Sequence, residues 1–529
     1  MLNWRLLALA PAVLGVASAA LADFDGPTPL AWRWAQSSPV APSGQPLISG
    51  DVLYISVGDK VYALDKTTGN QKWKFPTIET VDGYFHSSPV FADGVVVVNT
   101  ERTVYGIDPT TGHQKWYYKL EDPEKTISGQ PVSADKYAVF KIGEEQLLAL
   151  NGADGKPSWP NPQPVADRLK GNLAGFNSSV YFFTQTNVLY SMDVAAPKNV
   201  KKIITLQTVS EDATPTVHSD LLYINSSSYV AALNAYSGGA RWQLDTGQDL
   251  VYGPAVSSDA VASVSRDGLV TILDLKGKVK IIRDEAKKTS RPMRIDLGSG
   301  PVAAPTNSGA YFVIPTANGV INLVNGDTGE ITWRYVVRPM SASQAPAQGQ
   351  RGTNRPDAAL YTVAAAGAAS FAGDTMLILA DDGSLLAFDK NLGVDATGPE
   401  IKMGFPAEGS QVNGQNLQLV FRISDEASGV NESSIKVSVG GQPMDFEYTA
   451  DGLATVTISP YSKNKVLADG RAPIEVDATD WMGNVTSRKF VLLIDNTLAP
   501  IGAPVQPTNP KGGRGGGGAG GGGGGTSGG

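Results

Sequence analysis

The chain has 529 residues, room for two or three domains. Its 43 basic and 51 acidic residues leave a formal charge of −8, which argues against a general nucleic-acid binder with a basic face. No cysteine occurs, which excludes disulfides, thiolate metal sites, c-type haem attachment and a cysteine-linked lipid anchor; three histidines argue against an all-protein zinc or copper site.

Residues 1–22 have the layout of a secretory signal. Arg5 supplies the positive start, Leu6 to Val16 the apolar run, and Ala20-Leu21-Ala22 the small-residue cleavage site before Asp23. The alternative, an uncleaved anchor, needs about twenty apolar residues, and Pro11 interrupts this run. No later stretch is long and apolar enough to span a membrane. The expectation is an exported protein, periplasmic, cell-surface or secreted, without a transmembrane span.

Residues 23–395 are organised by a recurring hairpin. VYALDKTTGNQKW, from Val61 to Trp73, reads as an apolar strand, a turn opened by Asp65, a glycine at Gly69 needing positive φ, and a returning strand with Trp73. It recurs as VYGIDPTTGHQKW, ending at Trp116, and as LLALNGADGKPSW, ending at Trp159. Further copies end at Trp242 and Trp333, and weaker ones surround Asp193, Asp274 and Asp389. A period near forty with turns inside each unit marks a repeat array. Upstream of each hairpin lie two more short apolar runs, often opened by a proline such as Pro89, Pro254 or Pro301, where a missing N–H costs no ladder bond. Four strands per unit and eight units predict an all-β, eight-bladed β-propeller. Small residues before the first strands, such as Ser87, Ser88, Gly129 and Gly367, suit strands converging on one axis. The eighth unit lacks its outer-strand tryptophan, and AWRWAQ, with Trp32 and Trp34, is expected to complete it from the N-terminal end.

The A-L-D-x-x-T-G-x-x-x-W pattern around Asp65, Asp108 and Asn325 resembles the pyrroloquinoline-quinone (PQQ)-like repeat. The resemblance spans about residues 28–392 and implies an eight-bladed ring whose repeat tryptophans and glycines dock neighbouring blades. It does not fix a function, because the family includes quinoprotein alcohol dehydrogenases, the non-catalytic lipoprotein of the outer-membrane assembly machinery and many secreted proteins.

Two connections are long: Arg291 to Ser299, and Arg338 to Ala365. The second, polar and rich in proline and glycine, reads either as a functional loop or as a tolerated insertion. Residues 396–497 change character to strands of alternating pattern, an antiparallel sandwich whose motifs resemble bacterial Ig-like modules. Within it Asp425, Glu426 and Asp480 are read as turn-forming residues, with a calcium site as the alternative. Residues 498–529 form a Pro-containing and Gly-rich tail with nothing to bury a core.

The chemistry is sparse. A quinoprotein enzyme needs calcium and a carboxylate base, and no local motif here carries those ligands. The expectation is therefore no catalytic residue, no metal and no cofactor; PQQ with calcium belongs to the alternative of a quinone-dependent oxidoreductase. What remains is the funnel mouth, assigned to loops joining one outer strand to the next inner strand, with Tyr84, His86, Arg168, Asp212, Tyr252 and Arg294 as candidate ligand- or partner-binding residues. The reading is a monomeric, exported, non-catalytic scaffold with an envelope or extracellular protein partner. Cell-wall or carbohydrate binding through the sandwich is the third class.

Overall fold

The computed structural model describes residues 24–500, except 79, 160–161, 166, 285–287, 340–361 and 450. The expected signal, most of the 338–365 connection and nearly all of the tail lie outside the described residues. Among the described residues every regular element is a strand. Eight four-stranded antiparallel sheets follow one another through the first four hundred residues, and two further sheets follow from Glu400.

Sheet 1 shows why the repeat folds as it does. Its strands are Leu47–Ser49, Val52–Val57, Lys60–Asp65 and Gln71–Phe75. The second and third are almost wholly buried, because neighbouring sheets pack on both faces, and this explains their continuous apolar character. At the turn, Asp65 Oδ1 accepts the amides of Thr67 and Thr68, each at 3.0 Å, and Gly69 has φ of 70°. The glycine is required twice over. A Cβ there would lie 2.6 Å from the Trp32 ring, and most other residues adopt that φ only with strain.

The same contact links sheet to sheet. Trp32 donates its indole N–H to the Lys66 carbonyl (3.1 Å), Trp73 to Pro109 (2.9 Å), Trp116 to Gly152 (2.7 Å) and Trp242 to Leu275 (2.9 Å). Each acceptor is the residue after the Asp or Asn that opens the neighbouring turn. The third copy breaks the pattern: Trp159 is buried, and its Nε1 has no partner among the described residues.

Ring closure follows the sequence expectation. Leu30–Ala35 pairs antiparallel with Ser384–Asp389, outside Thr375–Leu379 and Ser370–Ala372, so the first strand is the outer strand of sheet 8. Arg33 fixes the joint, donating to Ser384 Oγ (2.9 Å) and to the Arg338 carbonyl (2.6 Å).

Sheet 6 corrects the sequence reading. After Leu269–Asp274 the chain inserts a hairpin, Ile281–Asp284 with Thr289–Pro292, and only then forms its outer strand, Arg294–Asp296. The segment from Arg291 onward is therefore mostly strand. Arg294 belongs to an outer strand, not to a mouth loop.

The last two sheets face each other over a core that includes Leu419, Phe421, Val456, Val476 and Phe490. This sandwich docks on the outer strand of sheet 7, Ile331–Val336. Trp333, fully buried, donates Nε1–H to the Ser428 carbonyl (2.8 Å), and Tyr335 donates its hydroxyl to the Glu426 carbonyl (2.8 Å). Arg334 pairs with Glu432 at 2.9 Å, Arg338 donates to the Asp451 carbonyl, and Leu30 N donates to the Ala427 carbonyl (2.7 Å). Asp425 to Gly429 repeats the Asp-x-x-x-Gly spacing of the ring's own turns. Asp425 Oδ1 accepts the amides of Ala427, Ser428 and Gly429, and Gly429 has φ of 86°. The sandwich thus presents a turn of this spacing to sheet 7, but with different contacts: the carbonyl after Asp425 takes the Tyr335 hydroxyl, Trp333 bonds to Ser428 three residues on, and Gly429 lies against Tyr335 and Trp481.

Candidate functional site

In antiparallel four-stranded sheets arranged this way, connections between second and third strands share one face with connections from each outer strand to the next inner strand. Five of the six candidate residues lie in that second kind of connection: Tyr84, His86, Arg168, Asp212 and Tyr252. The structure distributes them over three groups.

In the first, His86 Nε2 lies 2.5 Å from Glu101 Oε1, and Glu101 Oε2 accepts the Tyr84 amide at 3.3 Å. The Tyr84 and His86 rings meet edge-on with centroids 6.0 Å apart. In the second, Arg168 reaches Glu144 (3.6 Å) and Glu145 (3.8 Å), all three largely exposed. The third joins Asp212 and Tyr252 to Arg266 and Asp249. Arg266 Nε donates to Asp249 Oδ2 at 2.8 Å, and the Asp249 carboxylate holds the guanidinium above its usual range. Desolvation, followed by the Asp212 carboxylate, pushes the Tyr252 hydroxyl up to about 12. Tyr252 also has φ of 55°, a strained value for a bulky residue. Arg294, on its outer strand, donates to the Thr246 carbonyl (3.1 Å).

The second-to-third connections supply the partners missing from the sequence reading. Glu101, Glu144, Arg266 and Asp381 all sit just after the second strand of their sheets. The recurring junction after each second apolar run is the one sequence signal that points to them. Asp381 is the unpaired member, its carboxyl pushed up to about 6 by desolvation and by the adjacent Asp382.

Nearer the axis the residues are small and polar. Gln130 reaches past sheet 2, donating to Ser43 Oγ (3.2 Å) and accepting the Ser88 amide (2.7 Å). A Cβ on Gly44 would fall 2.2 Å from Ser88 Oγ, and one on Gly367 2.4 Å from the Gly44 backbone. Asn172 donates to Thr214 Oγ1 (3.1 Å), and half-buried Lys141 donates to the Gly171 carbonyl (2.6 Å), desolvation lowering the ammonium's affinity for its proton.

A second cluster lies at the seam. Carboxylate oxygens of Asp395, Asp425 and Asp480 all lie within 4.8 Å of one another. Each is also tied to protein: Asp425 to its turn amides, Asp395 Oδ2 to Ser428 Oγ (2.6 Å), and Asp480 Oδ2 to Asn484 Nδ2 (2.7 Å). Burial raises the Asp425 carboxyl, the turn amides oppose that rise, and Asp395 and Asp480 add to it. Glu426 is not part of the cluster; its carbonyl serves Tyr335 instead.

The arrangement of radially repeated four-stranded sheets defines a β-propeller. A family model described as outer membrane protein assembly factor BamB matches residues 21–229 and 226–397, and the chain belongs to that family. Among solved structures it is similar to BamB from Moraxella catarrhalis, 15% identical over 68% of this chain and 99% of that one, with a TM-score of 0.50. It is also similar to the quinohemoprotein alcohol dehydrogenase ADHIIG from Pseudomonas putida HK5 (12% identity, 73% and 79% covered, TM-score 0.47). A europium-containing methanol dehydrogenase gives 12%, 66% and 84%, and 0.45. No curated protein matches. These likenesses concern the fold alone.

Proposed function

We propose that the chain is an exported, non-catalytic scaffold of the cell envelope, an eight-bladed propeller carrying an Ig-like sandwich, whose mouth face binds a protein partner. The observation that carries this reading is the way the mouth spends its charges. His86 on Glu101, Arg168 on Glu144 and Glu145, and Arg266 on Asp249 each tie a connection to its neighbour at the rim. Such pairs stiffen a face and leave a mosaic of polar and aromatic tips suited to a protein surface. The family description, an assembly factor for outer membrane proteins, supports a protein partner.

The residues do not fit PQQ with calcium. A bound quinone requires a Lewis acid at its carbonyls and a base for the substrate hydroxyl, on rigid elements near the axis. The inner-strand starts offer instead Ser43, Gly44, Ser88 and Gly367 in mutual contact, bridged by Gln130. Purified chain mixed with PQQ, calcium, alcohols and an electron-accepting dye is expected to give no turnover. Turnover that disappears when PQQ is omitted would replace the scaffold reading with the oxidoreductase.

A further inference from the structure

The connections between third and fourth strands lie on the face opposite the mouth. In sheets 4, 5 and 6 that rim is basic, although the whole chain carries −8. Lys202 and Arg241 stand at the starts of their outer strands, Lys276 and Lys278 flank the turn of sheet 6, and Arg283 and Arg291 stand on the inserted hairpin. All six are exposed, and none takes part in an ion pair among the described residues. From Lys276 to Arg294 the sequence holds eight basic and two acidic residues.

These groups form one continuous, rigid surface. Lys201 Nζ donates to the Tyr236 carbonyl (2.5 Å), joining sheet 4 to the turn of sheet 5, and Trp242 joins sheet 5 to the Leu275 carbonyl. The hairpin is rooted by Ile282, which with Met293 packs on the Gly329 turn, and by Lys280, which bridges Asp259 (3.3 Å) and Asp327 (2.8 Å). Lys280 thereby neutralises two carboxylates of the same rim; among the others, Asp193 and Asp274 accept backbone amides in the turns of sheets 4 and 6, Asp220 precedes the second strand of sheet 5, and Asp284 ends the first strand of the hairpin. Between the basic groups stand apolar side chains open to solvent: Tyr236, 61% exposed, Ile281, 50%, and Leu275, 36%.

We infer that this rim is a docking surface for an anionic phospholipid bilayer. Exposed basic groups spread over three consecutive sheets, without ion-pair partners among the described residues, suit a diffuse sheet of negative charge more than one defined carboxylate ligand. Interleaved tyrosine and aliphatic side chains suit the boundary between headgroups and acyl chains. The surface is distinct from the mouth, so a bound membrane leaves the partner face free.

Co-sedimentation with phosphatidylcholine vesicles, with and without phosphatidylglycerol, tests the inference. The full chain is expected to pellet only with the anionic vesicles and to be released by salt. The variant Lys276→Glu/Lys278→Glu/Arg291→Glu is expected to lose on the order of a hundredfold in partitioning. The sandwich variant Lys436→Glu/Lys465→Glu/Arg471→Glu, with the same charge change, is expected to keep more of it. Melting temperatures are matched to the parent first, and the single Lys276→Glu replaces the triple variant if that unfolds. The inference is overturned if the parent chain ignores anionic vesicles, if rim and sandwich variants lose binding equally, or if the chain is retained on a polyglutamate resin but not by vesicles.

Discussion

Replacing Tyr335 with phenylalanine removes one oxygen from the seam and nothing else. The Tyr335 ring is 2% exposed and packs edge-on against Phe388 with centroids 4.7 Å apart, an arrangement phenylalanine preserves. The hydroxyl donates across the seam to the Glu426 carbonyl at 2.8 Å. Its loss leaves a partly buried carbonyl unsatisfied, at a cost of roughly 1–3 kcal/mol. That cost falls on the docked state, since the carbonyl reaches water once the sandwich moves away. Seam opening should therefore become about 5- to 140-fold more frequent, at 1.4 kcal/mol per factor of ten. Hydrogen exchange reads this directly. The Leu30 amide bonds across the seam to Ala427, whereas the amide of Phe140 lies inside sheet 3. Faster exchange at Leu30 with unchanged exchange at Phe140 is the expected outcome. An unchanged Leu30 rate would refute the docked seam, and equal acceleration at both amides would show that the hydroxyl supports global stability instead.

Deleting residues 30–36 should leave Ser384–Asp389 as an open edge, lowering the melting temperature by many degrees and promoting association, both visible by light scattering during a thermal ramp. Asp381, pushed up to about 6, holds its proton more tightly in the folded than in the unfolded chain, so its contribution to stability is lost as pH rises from the ordinary aspartate range to about 6. Asp381→Asn should melt higher than the parent above that pH, with the difference vanishing in acid; a constant difference across the range would exclude this titration.

Much of the ring was legible because its contacts are local in the repeat. Asp65, Gly69 and Trp73 each do one job, and the same residue types recur where the job recurs. Sheet 6 was not, because its copy has no tryptophan: Ile282 and Met293 take that place from an inserted hairpin, and Arg294 was consequently put in a loop. The seam escaped for another reason. Asp425 to Gly429 matches the ring's turn spacing, but its docking on sheet 7 rests on contacts between residues far apart in the chain, 95 positions for Trp333 and Ser428. The carboxylate cluster likewise needs Asp395 from the connecting segment, which no spacing within the sandwich could reveal. At the mouth, five of the candidate residues lie in outer-to-inner connections, but their partners come from separate strand junctions that only assembly brings near.

Strand order also sets an order of events. The strand that finishes the ring is the earliest to be synthesised, and Arg33 and its partner Ser384 are 351 positions apart. While the chain is being synthesised, Leu30–Ala35 has no native neighbour and must wait with its backbone groups bonded only to water. Only when the eighth sheet is complete can it engage, and the sandwich arrives afterwards to bond Leu30 through Ala427. The C-terminal module therefore works as a latch set last, and a nascent chain halted between these steps would be the one most in need of a chaperone.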